Sequence, residues 1–453
     1  MDSPIPLLYI APSHPHVHLI LALIGQPEQT MPTSADIAQL RDQTHSYLTK
    51  SLLPFWTERS PDPAYGGILP FFDRHGKPTG ETEKTFLSQI RMLYTMSSAH
   101  RAGYGNGRCA ELAEMCARFI LDHYWDDHYG GWYWIADRKG NPTNRSKVGY
   151  GHCFGIYAFS EYFLATGNAE GRKAAEATYQ AVCEHMVDTR HGGFIELMQQ
   201  DWQPERPGRF GGDRKSLDVH MHMMEALTTY YEMTGHPTHR RRLLEIIDLL
   251  LSRMLRPGSG TGYSQFTYGF EPLPAIIFAT TWGRDAKPDE GDIHPIDLTS
   301  YGHNIELGWL LLHAGEVLGL DRATYDPVLR NMCDHCIRFG LDHIHGGIYC
   351  EGPDQAPTTH TQKQFWQQGE ALVGMLDAYI SFGDERYWAA FRNIRDFVFT
   401  RMVNMEGGGE WYERVDREGN VVDSALGHGW KVNYHTVRSM IQVIQRLQKI
   451  MAV

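Results

Sequence analysis

The chain has 453 residues, 42% of them hydrophobic, with 54 acidic side chains against 42 Lys and Arg and a formal net charge of -12. Such an acidic balance disfavours nucleic acid and membrane as partners, because neither a phosphate backbone nor an acidic headgroup attracts it. The seven cysteines are scattered through helix-like segments and form no disulfide framework, which suits a reducing, cytoplasmic compartment.

In chain order, residues 1–33 read as an N-terminal arm expected to be disordered. The apolar stretch at residues 17–24 is interrupted by His18, is too short to span a bilayer, and is not preceded by a basic run, so it predicts neither an anchor nor a secretory signal. Met31 lies just ahead of Ser34, an expected N-cap, and is a candidate translation start. In the first periodic helix Ile37, Leu40, Tyr47, Leu48, Leu52 and Phe55 form an apolar stripe, and Pro54 is expected to end it.

Beyond it, five apolar runs each end at a glycine: Gly103, Gly167, Gly235, Gly319 and Gly383, spaced by 64, 68, 84 and 64 residues. That rhythm is the mark of an internal repeat whose helices close on left-handed caps. Paired glycines repeat as well, at Gly66-Gly67, Gly130-Gly131, Gly192-Gly193 and Gly346-Gly347, with a drifted copy at residues 407–409; the fourth copy is missing from the sequence. Each repeat carries two amphipathic stretches and a short aromatic-rich excursion. Inner helices are expected to start near Thr85, Gly151, His220, Asn304, Phe365 and Val432, with outer helices over 110–123, 172–187, 241–254, 325–339 and 387–402. Twelve helices then make six hairpins in one domain, residues 34–453. Segments 131–136 and 193–197 read as β-hairpin arms at one rim, and residues 257–299 as an inserted loop near the mouth. Periodicity admits either an open superhelix or a closed ring.

Residues at equal depth in a repeat point toward a common axis, so they are compared by distance from the capping glycine. Arg91 lies 12 residues ahead of Gly103, while His222, Glu306 and Glu370 each lie 13 ahead of theirs; His152 lies 15 ahead of Gly167. His303 and Trp366 fall about one turn outside Glu306 and Glu370 on the same faces, and the last repeat supplies His435. A lone polar group on an apolar helix is usually satisfied by a neighbour, but several in register mark a functional-site candidate. Two other readings stay open at this point. His220, His222, His303 and Glu306 could form a metal set, although His220 and His222, two residues apart, face different ways and His220 reads as structural. Glu306 and Glu370 could act as a glycosidase pair, which leaves the histidines unexplained. Cys333 and Cys336 lie inside an apparent helix with no second pair, and no glycine loop has the context of a nucleotide site, so neither metal nor cofactor is implied.

Five separated segments resemble the N-acylglucosamine 2-epimerase and cellobiose 2-epimerase family. Gly302-His303-Asn304-Ile305-Glu306, with Trp309 beyond it, is similar to the family's G-H-x-I-E segment, and Trp430-Lys431-Val432-Asn433-Tyr434-His435 to its W-K-x-x-Y-H segment. Phe365-Trp366 with Glu370 resembles its W-W-x-x-x-E segment, Met221-His222 its pocket histidine, and Arg91 its active-site arginine. The resemblance implies an all-α (α/α)6 barrel, a cofactor-independent isomerase, and a small sugar substrate. The expected reaction is 2-epimerisation of a reducing-end aldose of glucose, mannose or cellobiose type. Alternatives are N-acylglucosamine 2-epimerase, aldose-ketose (mannose) isomerase or, in another class, an (α/α)6 glycoside hydrolase or a non-catalytic sugar-binding protein. Two departures bear on specificity: Asn304 stands where the cellobiose branch has Asp, and the segment after Trp282 is longer. Trp309 favours epimerase, since the isomerase branch carries a basic residue there. A homodimer is a further expectation.

The resemblance assigns His303 and His435 as an opposed acid-base pair on a carbon 2 enediolate, a task suited to imidazole. Arg91 would stabilise the oxyanion and Glu306 would orient or polarise His303. His222, Glu370 and His152 would bind substrate, with Trp309 and Trp366 as sugar platforms.

Overall fold

The structure, a computed structural model, describes residues 32–278 and 293–452. Residues 1–31 of the expected arm, Met31 included, and Trp282 in the expected mouth loop lie outside the described residues. The first helix, α1 (Ser34–Tyr47), is capped by Thr33 rather than Ser34, in a reciprocal capping box with Asp36. Pro54 does not end the rod: α1 runs through a wide π turn at Leu48–Leu52, where the Leu53 N–H donates to the Leu48 carbonyl, into α2 (Leu53–Arg59). Pro54 thus sits in the first turn of a new helical segment, where a missing N–H costs little.

Six long helices form the inner layer: α3 (Phe86–Arg101), α5 (Gly149–Thr166), α7 (Leu217–Thr234), α9 (Tyr301–Leu318), α11 (Phe365–Phe382) and α13 (Tyr434–Met451). Outside them lie α4 (Arg108–His123), α6 (Ala169–His185), α8 (Pro237–Leu249), α10 (Asp326–His335) and α12 (Glu385–Phe397). Each inner helix packs on the next, and α13 packs on both α11 and α3, so the ring closes. The sixth hairpin is made from the two ends of the described chain, α1 lying outside α13. The fold is therefore the closed alternative, an (α/α)6 barrel. The layers follow from composition: α5 and α9 are apolar and buried on nearly every side, whereas α4 and α12 bury one stripe. Gly167, Gly235, Gly319 and Gly383 are left-handed caps, as their spacing predicts. Among the described residues no helix is long and apolar enough to cross a membrane.

The β arms gather at the N-terminal ends of the inner helices. The strand leading into each of the first five inner helices pairs antiparallel with the excursion that follows its outer helix, as Lys84–Thr85 does with Ile135–Ala136 and Lys363–Gln364 with Arg414–Val415. The sixth junction is the Phe72–Gly427 bridge. Two side-chain devices bind this rim. First, a buried lysine at the start of an inner helix pairs with an aspartate ahead of the paired glycines: Lys84–Asp62 at 3.0 Å, Lys147–Asp126 at 2.9 Å, Lys215–Asp188 at 2.7 Å and Lys363–Asp342 at 2.9 Å. The same ammonium groups donate to glycine-turn carbonyls, as Lys363 does to Gly346 at 2.6 Å. Second, the fourth residue of each of the first five inner helices accepts a hydrogen bond from the N–H just past the paired glycines. Gln89, His152, His220, Asn304 and Gln368 fill this role. The second glycine of each pair has no room for a side chain: a Cβ on Gly131, whose φ is +72°, would sit 2.7 Å from His152 Nε2.

The fourth turn, missing as a glycine pair, is present in space: Leu255 bridges Gly262 as Val187 bridges Phe194, with Thr261 in place of the second glycine. The charge is inverted there. Arg256 stands where the four paired repeats have Asp, Thr299 where they have Lys, and the guanidinium donates to the carbonyls of Ile296 at 2.5 Å and Leu298 at 2.8 Å.

Removing one partner of a buried pair leaves the other charge uncompensated, at a cost of about 3–5 kcal/mol. Asp342→Ala is expected to lower the unfolding free energy by about that amount in urea denaturation, and Lys363→Met in the same background to recover part of it.

Candidate active site

Most ionisable groups of the site lie in the first two turns of the inner helices, at the rim where the strands gather, with Glu225 one turn further along α7. Arg91, His222, Glu306 and Glu370 are each the sixth residue of their helix, which is why the glycine register finds them. The group that joins them is one the register does not reach. Arg438, five residues into α13 and 2% exposed at its side chain, donates through Nη2 to Glu306 Oε1 and to Glu370 Oε1, both at 2.8 Å, and through Nη1 to Glu225. Its guanidinium also lies 4.1 Å from the Tyr434 ring centroid and 5.0 Å from that of Trp309.

Around this centre the polar groups are tightly partnered. His435 Nδ1 is 2.7 Å from Glu370 Oε1, and Trp309 Nε1 donates to Glu370 Oε2 at 3.1 Å. His222 Nδ1 is 2.8 Å from Glu225 Oε2, and its Nε2 is 3.3 Å from Asp218 Oδ1 and 3.2 Å from the Tyr150 hydroxyl. Arg91 donates to that hydroxyl at 2.6 Å and to the Trp430 carbonyl at 2.8 Å. His303 Nε2 approaches the same Asp218 oxygen, 3.5 Å from Oδ1. Trp366 touches both outer histidines, its ring centroid 4.6 Å from that of His303 and 5.5 Å from that of His435. His303, Asp218, Tyr150, Trp366 and Trp430 line a cavity with about 1180 Å³ of empty space, its open mouth included, and Glu351 and His294 line it too. His435 is buried and packs against Trp366 and Phe365.

Three expectations are corrected. His152 is not a substrate group. It is fully buried, its Nδ1 faces the Val148 carbonyl at 2.8 Å and its Nε2 takes the Trp132 N–H at 3.1 Å, so both nitrogens are spent on backbone. Trp309 is no sugar platform: it is 4% exposed, its indole N–H serves Glu370, and the Arg438 guanidinium covers its face. Glu306 does not bond His303; its carboxylate turns to Arg438, and Oε2 is buried without a hydrogen-bond partner. The sequence reading missed Arg438, Glu225, Asp218 and Tyr150, and named Tyr434 and Trp430 within the W-K-x-x-Y-H segment without giving them a role. A signal was present for three of them: Arg438 lies three residues past His435, Glu225 three past His222, and Asp218 four before it, all spacings that share a helix face.

Burial and charge set the protonation states. Burial would lower His222, but hydrogen bonds to Asp218 and Glu225 raise it to about 10, so it is an imidazolium at neutral pH. Burial pushes His435 down to about 3 despite Glu370, and lowers His303 despite Asp218, leaving both rings neutral and able to accept a proton. Burial and the neighbouring Glu370 carboxylate push Glu306 up to about 8. Glu370 itself is held below the usual carboxylate range, because Arg438 and His435 outweigh its burial. Ligand atoms of Glu306, Glu370 and His435 lie within 4.8 Å of one another, as a cation site requires. Arg438 already stands against both carboxylates and supplies the positive charge there. His220, from the other possible metal set, is committed to the Phe194 N–H at 3.0 Å.

Residues 66–439 match the family model N-acylglucosamine 2-epimerase (GlcNAc 2-epimerase). The cellobiose 2-epimerase of Bacteroides fragilis is 28% identical over 421 residues, covering 89% of this chain and 98% of that protein. The human N-acylglucosamine 2-epimerase is 23% identical, covering 86% of each chain. The structure of cellobiose 2-epimerase from Bacillus thermoamylovorans superposes with a TM-score of 0.80 at 25% identity, covering 90% of this chain and all of that one.

Glu306 generates a pH signature. Its folded pKa lies above its ordinary value of 4.5, so its stabilising contribution is full below that pH and is lost as pH rises through about 8. Glu306→Gln removes the loss. The stability of the variant relative to wild type should therefore rise between about pH 5 and pH 8, as followed by urea denaturation.

Proposed function

The chain belongs to the N-acylglucosamine 2-epimerase family, and from that premise we propose that it epimerises a reducing-end aldose at carbon 2 through an enediolate, with His303 and His435 as the two proton-transfer groups. Family membership makes it a carbohydrate epimerase, an enzyme of the isomerase class. The observation that carries the reading is the shared indole: His303 and His435 come from different inner helices, yet both rings pack on Trp366 beside the cavity. An acid-base group on each face of a planar intermediate is what inversion demands.

In this reading the ring-opened aldose presents a carbon 2 proton made acidic by the neighbouring aldehyde. One neutral imidazole takes that proton, and the C–H electron pair passes into the enediolate. The opposite imidazole, which has first taken up a proton from solvent, delivers it to the other face, and the first ring then returns its proton to solvent. Arg91 and the His222 imidazolium, both joined to the Tyr150 hydroxyl, supply fixed positive charge beside the cavity for the developing oxyanion. Glu370 holds the His435 ring through Nδ1 and so leaves Nε2 for substrate. Arg438 keeps Glu370, Glu306 and Glu225 in place, and Trp366 offers a face for the sugar. Glu306 and Glu370 share one guanidinium nitrogen, an arrangement that leaves no room for a glycosidic bond between them and argues against the hydrolase reading. The seven free thiols support a reducing compartment.

Single substitutions test the pair. His303→Asn and His435→Asn should each lower epimerisation by about 10²–10⁴-fold while circular dichroism shows an intact fold. Each variant should still exchange the carbon 2 proton of one epimer with deuterated solvent, and the two variants should do so for opposite epimers. Chelator should leave the wild-type rate unchanged.

A further inference from the structure

Asp218 is not among the residues that the family resemblance assigns, yet it occupies the junction of the site. It is the second residue of α7, lies one turn before His222, and is 27% exposed to the cavity. Its Oδ1 is buried, 3.3 Å from His222 Nε2 and 3.5 Å from His303 Nε2. One carboxylate oxygen therefore stands between a ring that is already cationic and a ring that becomes cationic during the reaction.

We propose that Asp218 is a positioning residue for proton transfer, its carboxylate stabilising and orienting the imidazolium that forms on His303 each time that ring takes the carbon 2 proton. This inference rests on the epimerase reading of the same site. When the C–H bond breaks, its electron pair moves into the enediolate and its proton to the His303 ring, so one positive charge appears beside Asp218. When that proton returns to carbon, the charge disappears. An anion fixed 3.5 Å from the ring lowers the energy of the charged form without moving, which raises His303 as a base. His222 acts in opposition: its imidazolium repels a second positive charge on His303, and Asp218 screens the two rings from each other. The other groups facing this pair are Arg91 from α3, the Tyr150 hydroxyl from α5, Glu306 on α9, Glu370 on α11 and Glu351 from the rim strand. Arg91 draws on the Asp218 charge, while Glu370 and Glu351 support the His303 cation from farther away.

The test compares wild type with Asp218→Asn, which keeps the shape and removes the charge, and with Asp218→Glu, which keeps the charge. In histidine-labelled protein without substrate, the His303 ring signal should titrate about one unit lower in Asp218→Asn, and Asp218→Glu should restore most of the shift. The acid limb of kcat/KM for epimerisation should move to lower pH by the same amount, and kcat should fall by about 10- to 100-fold. A residue that only supported the fold would change kcat without moving either titration. A folded Asp218→Asn protein whose His303 midpoint and pH profile both match wild type overturns the proposal, while turnover by wild type leaves the epimerase reading standing. If wild type itself exchanges no carbon 2 proton with any aldose, the epimerase reading fails and takes this inference with it, whatever the ring titration shows.

Discussion

One guanidinium holds the centre of this protein together. Arg438 is buried at the barrel axis and donates to Glu225, Glu306 and Glu370, which come from three different inner helices. Three carboxylates this close would repel one another in a dry interior, so without the cation at least two would have to take up protons or move apart. The rest of the site hangs from those carboxylates. Glu370 fixes His435, Glu225 fixes His222, and Glu306, furthest from full compensation, answers by holding a proton. The ring of helices is thus closed at its core by charge as well as by apolar packing.

A second electrostatic pattern holds the rim at which the site opens. The Lys–Asp pairs tie four of the six inner-helix starts to the preceding glycine turn, and the fourth residue of the helix catches the N–H of that same turn. Both devices fix where the first two turns of a helix begin, and most ionisable groups of the site are on those two turns. The fourth repeat departs from the pattern through Arg256 and Thr299, next to the excursion that forms one wall of the cavity. The repeat carries stability at most positions and yields it to a different arrangement where the substrate space is built.

Much of this was legible in the chain, for physical reasons that also explain the failures. Left-handed caps demand glycine, so Gly167 to Gly383 marked the helix ends, and a count back from them reached Arg91, His222, Glu306 and Glu370 at one depth. The last inner helix ends the described chain with no glycine behind it, so Arg438 had no marker and went unseen, although its spacing from His435 placed it on the same face. Depth alone also misplaced His152. It lies two residues nearer the helix start than the axial set, in the register of Gln89, His220, Asn304 and Gln368, where side chains serve the glycine turns. Trp309 reads as a sugar platform from the sequence because sequence cannot show that an arginine covers its face. Periodicity likewise could not choose between a superhelix and a ring; the return of α13 to α3 decides it.

The central claim is that two imidazoles exchange protons with carbon 2 of an aldose beside Trp366. The most direct measurement is to incubate the wild-type protein with glucose, mannose, N-acetylglucosamine or cellobiose in deuterated water and locate the label by NMR. The account predicts deuterium at carbon 2 of the epimeric product of at least one of these sugars. Formation of that epimer with carbon 2 unlabelled, or the absence of any carbon 2 exchange across the panel, would contradict it.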